Sequence, residues 1–375
     1  MIYLSLFNGI SAGRLALSRA GIEFDKYYIA EIDKFANKVS EFHYPDNIQL
    51  GDVNNWRKWD IDWSSVGLVT AGFPCQSWSL AGKQKGDKDE RGKLFWVTLD
   101  IMSHVLDKSP RAKFMLENVK MKKEFEEYIT LHTENALGKV FKTLINSALV
   151  SAQNRNRYYW TNFHVSQPSD KGLLLKDVIE DDYISDRDKS YCIDANYSKG
   201  ANPIQYFNKS RRQLVFGGAV RGRYIVDGIR QDHKMKTAGM TTQRLEVRED
   251  GKTNTLTTVQ KDNVVVIYQR PRGKNKGAEF TEKSPTLTAC SWEENNKLSY
   301  RKLTPTECAR LQTFPDGWCE NIVSNSQSYK AYGNAWTVDV IKHIFECMEN
   351  HDNARRDRNN VRFDNDVIWQ SSVGI

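Results

Sequence analysis

A thiol, a carboxylate and a pair of arginines are the groups of this chain best suited to chemistry. Cys75 lies in the turn Gly72-Phe73-Pro74-Cys75-Gln76, directly after the apolar run 67–71. Such a run predicts a buried parallel strand, and open α/β sheets bind ligands at the carboxyl ends of such strands. The thiol is therefore a candidate nucleophile. A cysteine on its own is more often a small core residue, so this interpretation depends on the groups around it.

Two further segments supply such groups. Glu117 follows the apolar run 112–116, and a carboxylate at that strand end would face the same crevice as Cys75. Arg155 and Arg157 alternate in a polar run before an aromatic stretch, and residues two apart in a strand share a face. Together they could address one anion or carbonyl oxygen. The alternative is a basic edge strand that resists aggregation.

The N-terminal region carries acidic residues at the spacing of a nucleotide site. The run 2–6 predicts a strand, and Phe7-Asn8-Gly9 predicts a turn into a helix. Glu31 ends the next strand 22 residues after Gly9, where a carboxylate can accept hydrogen bonds from ribose hydroxyls. Asp52 ends a third predicted strand. Both acids could equally be solvated strand ends or helix caps, and the glycine spacing is not that of dinucleotide-binding proteins.

The composition is that of a globular protein with a modest basic excess. With 375 residues, 39% of them hydrophobic, the chain can form two domains with a substantial core. Lysine and arginine exceed aspartate and glutamate by 54 − 47 = 7, which suits a polyanionic partner. The six cysteines form no CxxC pair, so we expect neither a zinc site nor a disulfide framework. Without a signal peptide or a membrane-spanning apolar stretch, we expect a soluble cytoplasmic protein.

The texture of the sequence changes along the chain. Residues 77–93 are polar and glycine-rich, which predicts a mobile lid. From residue 172 the chain is rich in Asn, Gly, Thr, Arg and Lys, with short β-like runs and few helical patterns. We therefore predict a first domain at 1–171, completed by a C-terminal helix at 330–349. A second, mostly irregular domain would occupy 172–329, and a polar tail 350–375.

The candidate groups belong to an ordered set of motifs. The set comprises Phe7-Asn8-Gly9, Glu31, Gly51-Asp52, Pro74-Cys75-Gln76, Glu117-Asn118-Val119, Gln153 to Arg157, Arg301 to Pro305 with Glu307 and Arg310 to Gln312, and Gly333-Asn334-Ala335. It resembles, in order, the motif series of the C5 cytosine-specific DNA methyltransferases. Ser11 and Ala12 replace the usual glycines of the first motif, a change that resembles the de novo branch of animal enzymes. Residues 172–299 match no shared motif, like the variable target-recognition domain of prokaryotic or phage members.

The resemblance implies both a fold and a reaction. The fold would be α/β, with the Rossmann-like sheet of S-adenosylmethionine-dependent methyltransferases and a second, mostly irregular or β target-recognition domain. Cys75 would add to C6 of a flipped cytosine, while Glu117 at N3 and Arg157 at O2, with Arg155 beside it, relieve the charge on the ring. S-adenosylmethionine would give its methyl group to C5, leaving S-adenosylhomocysteine, and no metal would be required. The target cytosine would lie in a specific short sequence.

The resemblance also implies contacts with cofactor and DNA. The implied cofactor-binding residues are Phe7, Asn8, Gly9, Ser11, Glu31, Ile32, Asp52, Pro74, Leu94, Asn334 and Ala335. The candidate DNA-binding residues are Gln76, Ser79, Lys83, Arg91, Arg211, Arg212, Arg221 and Arg223. We expect a monomer that binds double-stranded DNA and no membrane. The sequence does not identify a cognate restriction endonuclease.

Two other functions stay open at this point. A catalytically silent DNA-binding or regulatory relative would keep the fold without the reaction, although the presence of Cys75 argues against it. An RNA cytosine-5 methyltransferase would use the same chemistry, although RNA-directed relatives have a smaller recognition region.

The short interval between Glu117 and Gln153 further predicts that a helix on one face of the sheet is reduced or missing.

Overall fold

The chain divides into two compact units. The computed structural model describes residues 1–74, 92–180, 185, 187–199, 206, 209–215 and 301–352, and the backbone alone of residues 90–91, 216, 300 and the short strands between 219 and 298. The first unit comprises Met1–Leu173, Asp194–Ser198 and the chain from Cys308 onward; the second comprises Leu174–Ile193 and Lys199–Glu307. Most of the predicted lid, and the predicted tail from residue 353, lie outside the described residues.

The first unit is built on a seven-stranded, largely parallel sheet. Its strands are β1 (Ile2–Leu6), β2 (Lys26–Ala30), β3 (Ile48–Gln49), β4 (Val66–Gly72), β5 (Lys113–Val119), β6 (Phe141–Asn146) and β7 (Asn156–Thr161). They lie in the order β3-β2-β1-β4-β5-β7-β6, and β7 runs antiparallel to both of its neighbours. The central strands are near-continuous apolar runs, as expected for strands buried on both faces. The predicted α/β fold is confirmed.

Helices connect these strands and cover the sheet. They are α1 (Ala12–Ala20), α2 (Lys34–His43), α3 (Glu90–Lys108), α4 (Lys123–Leu137), α5 (Pro305–Leu311), α6 (Asn325–Asn334) and α7 (338–352). Phe95 of α3 and Ile129 of α4 pack against Val69 and Phe114 of the sheet in one buried cluster. A helix was predicted to be reduced or missing after Glu117. That prediction is wrong, because α4 has 15 residues and three-residue connections on either side leave room for it.

The predicted C-terminal helix at 330–349 is two helices, α6 and α7, separated at residues 335–337. Side chains from elsewhere take the carbonyl groups at the end of α6. Arg155 donates to the Gly333 and Ala335 carbonyl oxygens at 3.1 and 3.0 Å, and Gln312 donates to those of Tyr332 and Ala335 at 2.7 and 3.2 Å. Because the last carbonyls of a helix need partners, these donors stabilise its end at this point.

The described strands of the second unit are short. They are β8 (Leu214–Phe216), β9 (Ala219–Arg223), β10 (Ile225–Val226), β11 (Ile229–Arg230), β12 (Thr242–Glu246), β13 (Ile267–Gln269), β14 (Ala278–Phe280), β15 (Asn296–Leu298) and β16 (Tyr300–Lys302). Their pairings are antiparallel: β8 with β16, β9 with β12, β10 with β11, and β13 with β14 and β15. Within the described part of the chain, no helix has the length and apolar character needed to cross a membrane.

Candidate active site

A cavity of about 410 Å³ opens at the carboxyl edge of the sheet in the first unit. Ten of the eleven predicted cofactor residues line it: Phe7, Asn8, Gly9, Glu31, Ile32, Asp52, Pro74, Leu94, Asn334 and Ala335. The predicted catalytic residues Glu117, Arg155 and Arg157 line it as well. Residues from the ends of β1, β2, β4 and β5 and from α6 therefore meet around one space. This is the position at which open α/β sheets bind ligands.

Glu31 joins the loops that follow β1 and β2. Its Oε2 accepts a hydrogen bond from the Gly9 N–H at 2.8 Å, and its Oε1 accepts from the N–H groups of Ile32 and Asp33, also at 2.8 Å. Gly9 has a φ of 57°, which glycine adopts without the strain that a side chain would add. A carboxylate offers about four acceptor positions. The three backbone bonds thus fix Glu31 and leave it capacity for a donor in the cavity.

Asp52 caps the short 3-10 helix Val53–Lys58. Its Oδ1 accepts hydrogen bonds from the Asn54 N–H and from the Asn54 side-chain amide, both at 2.9 Å. The helix-cap alternative for this residue is therefore real. It does not exclude a ligand contact, because Asp52 also lines the cavity and both of these bonds use the same carboxylate oxygen.

Ser11 lies behind the cavity wall rather than in it. It is fully buried; its hydroxyl shares a hydrogen bond with Ser40 at 2.8 Å and accepts one from Asn8 Nδ2 at 3.0 Å. Ser11 is thus not among the residues that line the cavity, and its hydroxyl instead binds Asn8, which does line it. The Asn8 Oδ1 atom is buried and has no hydrogen-bond partner among the described residues. An unpaired buried acceptor costs about 1–3 kcal/mol, so this atom is suited to a donor group on a ligand.

Asp33 and Lys330 form an ion pair in the wall of the cavity. The Lys330 ammonium donates to Asp33 Oδ2 at 2.6 Å, and Asp33 also caps α2 through the N–H groups of Phe35 and Ala36. Partial burial opposes ionisation of Asp33, but the hydrogen bonds from Lys330 and the helix backbone outweigh it and lower the pKa of the carboxyl. The pair therefore links the N-terminus of α2 to α6.

Glu117 and Arg157 form a second ion pair that lines the cavity. Arg157 Nε lies 3.1 Å from Glu117 Oε1, and their side chains are 15% and 11% exposed. The Trp336 indole N–H donates to the other carboxylate oxygen, Oε2, at 2.9 Å. Strand register brings the pair together, since Glu117 lies opposite Tyr159 and Val119 lies opposite Arg157. Burial, together with the negative charge of Glu117, raises the pKa of Tyr159, so that its hydroxyl stays neutral.

Arg155 differs from Arg157 although both line the cavity. Arg155 is 4% exposed, and its guanidinium donates to the two α6 carbonyl groups described above. The backbone of Arg155 is fixed as well, because the Asn146 side chain accepts a hydrogen bond from the Arg155 N–H at 2.9 Å. The sequence pairs the two arginines in one role, but the structure pairs Arg157 with Glu117 and places the Arg155 guanidinium on the end of α6.

The chain leading to Cys75 is fixed by the neighbouring strand. The Asn118 amide donates to the Phe73 carbonyl oxygen at 3.2 Å, and the Phe73 ring packs against Phe95 with centroids 5.2 Å apart. Pro74 then enters the cavity wall. Cys75 itself lies outside the described residues, so its predicted convergence with Glu117 and Arg157 stays a prediction.

Most of the candidate DNA-binding residues are only partly described. Gln76, Ser79 and Lys83 lie outside the described residues, and Arg91 is described by its backbone in α3 alone. In the second unit Arg211 is exposed and Arg212 is half-buried. Arg221 and Arg223 lie in β9, where Arg221 is opposite Arg244 of β12 and Arg223 is opposite Thr242. Their contacts with DNA stay predictions.

Sequence reasoning missed three residues of this site: Trp336, Lys330 and Asn118. Trp336 directly follows Gly333-Asn334-Ala335, and Asn118 directly follows Glu117, so the motifs themselves pointed to both positions. Lys330 carries no comparable signal, because its ionic partner Asp33 is 297 residues away in the chain. Among the described residues, no three His, Cys, Asp or Glu side chains are grouped so that they could hold a metal ion.

Comparison with known families gives a match along most of the chain. The sequence profile of the family described as C-5 cytosine-specific DNA methylase matches residues 1–350. Type II methyltransferase M.NlaX of Neisseria lactamica is 28% identical over 369 residues, which cover 95% of this chain and 98% of that protein. Type II methyltransferase M.HhaI of Haemophilus parahaemolyticus is 28% identical over 357 residues, which cover 91% and 92%.

Solved structures share the fold at low sequence identity. The methyltransferase EhMeth of Entamoeba histolytica superposes with a TM-score of 0.55 at 14% identity, covering 93% of this chain and 98% of that one. A DNMT2 mutant of Spodoptera frugiperda superposes with a TM-score of 0.52 at 17% identity, covering 92% and 98%.

Proposed function

The chain belongs to the C-5 cytosine-specific DNA methylase family, and from this premise we propose that it methylates C5 of a flipped cytosine in duplex DNA with Cys75 as nucleophile. The methyl donor is S-adenosylmethionine. The target is a short specific sequence read by the second unit, and the enzyme acts as a monomer. The observation that carries the proposal is that Glu31, Asp52, Glu117 and Arg157 line one cavity.

One set of lining residues, Glu31 and Asp52 with their neighbours, suits the methyl donor. The Glu31 carboxylate would accept hydrogen bonds from ribose hydroxyls, and Asp52 would accept one from the adenine amino group. Phe7 and Ile32 offer apolar surface for the base, and the unpaired Asn8 Oδ1 is an acceptor for an ammonium group. When bound, S-adenosylmethionine supplies an electrophilic methyl carbon on a sulfonium.

A second set, Glu117 and Arg157 together with Cys75, suits the cytosine. The Cys75 thiolate forms a bond to C6, which makes C5 nucleophilic enough to take the methyl group. Negative charge then develops on the ring, and Glu117 at N3 and Arg157 at O2 relieve it. Loss of the C5 proton and cleavage of the bond between sulfur and C6 release the thiolate and the methylated base. Flipping the base from the duplex costs about a few kcal/mol, which its contacts in the pocket offset.

Labelled methyl transfer tests this proposal. The chain should transfer tritiated methyl groups from S-adenosylmethionine to duplex DNA, and bisulfite sequencing should place them on C5 of cytosine in one short sequence. Cys75→Ser should lower the rate by at least about 100-fold, since no other residue replaces the nucleophile. Circular dichroism and cofactor binding control for folding.

Two outcomes would overturn the proposal. A Cys75→Ser variant with full activity would remove the mechanism. Failure of the wild-type chain to form a covalent adduct with duplex DNA containing 5-fluorocytosine would favour a silent DNA-binding relative. A competition arm with transfer RNA separates the substrates, because preferential labelling of RNA would contradict the choice of DNA.

A further inference from the structure

Both carboxylate oxygens of Glu117 are engaged by neighbouring side chains. Arg157 Nε lies 3.1 Å from Oε1, and the Trp336 indole N–H donates to Oε2 at 2.9 Å. Glu117 as a whole is 8% exposed. A buried carboxylate with one donor on each oxygen has a single preferred orientation, because rotation of the group would break both interactions.

Trp336 is itself held on both sides in the chain. Arg155 and Gln312 bind the Ala335 carbonyl oxygen that precedes it. The Thr337 hydroxyl that follows it donates to Gln312 Oε1 at 2.7 Å and shares a hydrogen bond with Ser147 at 2.9 Å. The buried side chains of Arg155, Gln312 and Ser147 thus fix the loop between α6 and α7, and with it the position of the indole.

Gly72 leaves room for this contact. It is the last residue of β4 and lies opposite Glu117 in the sheet. A Cβ atom at this position would lie 2.8 Å from Trp336 Nε1 and 3.0 Å from Glu117 Oε2. Any side chain here would therefore push the indole and the carboxylate apart. The glycine at the end of β4 therefore leaves space for the hydrogen bond between Trp336 and Glu117.

We propose that Trp336 is a positioning residue for Glu117, whose indole N–H holds the carboxyl group in the orientation that the target base requires. The inference rests on the proposed function, because it assigns Glu117 the role of addressing the cytosine ring. Trp336 acts through Glu117 and need not touch the base. Catalytic groups work when they are held within about 0.5 Å of the productive geometry, and the Trp336 bond to Oε2 adds to the Arg157 contact at Oε1.

A simple packing role for Trp336 makes a different prediction. If the indole served only as apolar wall, phenylalanine would replace most of its surface, and any defect would appear in the KM for S-adenosylmethionine. If the N–H positions Glu117, Trp336→Phe should lower the single-turnover rate at saturating substrates by about 10- to 100-fold. KM for both substrates should change less than the rate.

A double-mutant cycle with Glu117→Gln separates these readings. In the Glu117→Gln background, Trp336→Phe should cost less than about threefold, because the group it positions is already lost. Trp318→Phe is the matched control: Trp318 is a buried tryptophan of the same unit whose N–H donates to the Ile10 carbonyl at 3.2 Å. The effects of Trp318→Phe and Glu117→Gln should be additive.

A second measurement reads the contact without activity. In a ¹⁵N-tryptophan spectrum of the free protein, Glu117→Ala, which removes the acceptor, should shift the Trp336 indole resonance, which Trp336→Phe identifies, and leave that of Trp318 in place. An unmoved Trp336 resonance would overturn the inference whether or not the chain methylates DNA. Additive effects in the cycle of an active enzyme would overturn it as well, whereas an inactive wild type would count against the proposed function, leaving the spectrum to decide this contact.

Discussion

Arg155 and Arg157 are two residues apart and line the same cavity, yet they bind different partners. Arg157 lies beside the Glu117 carboxylate, whereas Arg155 donates to two backbone carbonyls at the end of α6. A guanidinium that satisfies carbonyls of the scaffold contributes to stability. One that pairs with a carboxylate in a substrate-sized cavity is free to exchange that partner for a ligand atom.

Substitution should separate these two roles. Arg155→Met removes the donor to the Gly333 carbonyl, at about 1–3 kcal/mol, whereas the Ala335 carbonyl keeps its bond from Gln312, so we expect a clear loss of unfolding free energy. Arg157→Met should change the unfolding free energy less and lower the single-turnover methylation rate more. Urea denaturation and rapid-quench assays measure the two quantities. Normal stability of Arg155→Met with a large loss of rate would instead make Arg155 catalytic.

The sequence predicted the position of the candidate carboxylate Glu117 better than the contacts around it. Glu117 follows from its place at a strand end, because strands and their order are encoded locally by apolar runs. The inward turn of Arg155 and the bond between Trp336 and Glu117 depend on segments 178 to 219 residues apart. No local pattern specifies such contacts. In the sequence, Gly72 resembles an ordinary turn residue. The structure shows why a side chain would not fit there, since a Cβ atom would contact Trp336 and Glu117.

At the scale of elements, α2 and α6 meet at the wall of the cavity. Asp33 caps α2, and Lys330 projects from α6 to bind it. The two side chains are 28% and 45% exposed. Because solvent screens a pair this exposed, its contribution to stability is small, but the pair connects two elements that both face the cavity.

Asp33→Asn should reveal that contribution through its pH dependence. Asparagine keeps the helix cap but loses the charge, so we expect a deficit of about 0.5–1 kcal/mol at pH 7. The pKa of Asp33 is lower in the folded chain than the ordinary value of 3.8. Its stabilisation is thus complete above the unfolded value and is lost as the pH falls through the folded value.

The deficit should therefore shrink as the pH falls below the unfolded value of 3.8 and through the lower folded value, as followed by urea denaturation at each pH. Lys330→Met should produce a similar deficit at pH 7 and add little to Asp33→Asn in the double variant. A deficit that stays constant down to the lowest pH would mean that Asp33 acts as a cap alone.

Element boundaries show where sequence patterns lose their power. The apolar runs predicted β1, β4 and β5 because each is largely buried on both faces, and β2 because its last three residues are buried. The break between α6 and α7 was missed, since residues 335–337 contain neither proline nor glycine. The break is made by Arg155 and Gln312, which reach it from other parts of the chain.

At the scale of the whole molecule, the two units carry different kinds of information. The first unit has the long apolar strands and motifs by which a sequence can be read. The described strands of the second unit have two to five residues, and such short strands have almost no periodicity of their own. The sequence therefore predicts a β-like region there but neither the strand pairing nor the residues that read the DNA.

The salt dependence of DNA binding tests which part of the second unit meets the phosphates. The chain carries a net charge of +7, and Arg221 of β9 lies opposite Arg244 of β12. Two arginines in register on neighbouring strands make this ribbon a candidate for phosphate contacts. Each arginine that neutralises a phosphate contributes about 0.9 to the slope of log K against log salt.

We therefore expect Arg221→Ala and Arg244→Ala each to reduce the slope by about that amount, measured by fluorescence anisotropy with a labelled duplex. Arg57→Ala, at an exposed arginine of the first unit paired with Asp100, should leave the slope unchanged. Equal slopes for all three variants and the wild type would exclude the β9 and β12 ribbon from the DNA interface.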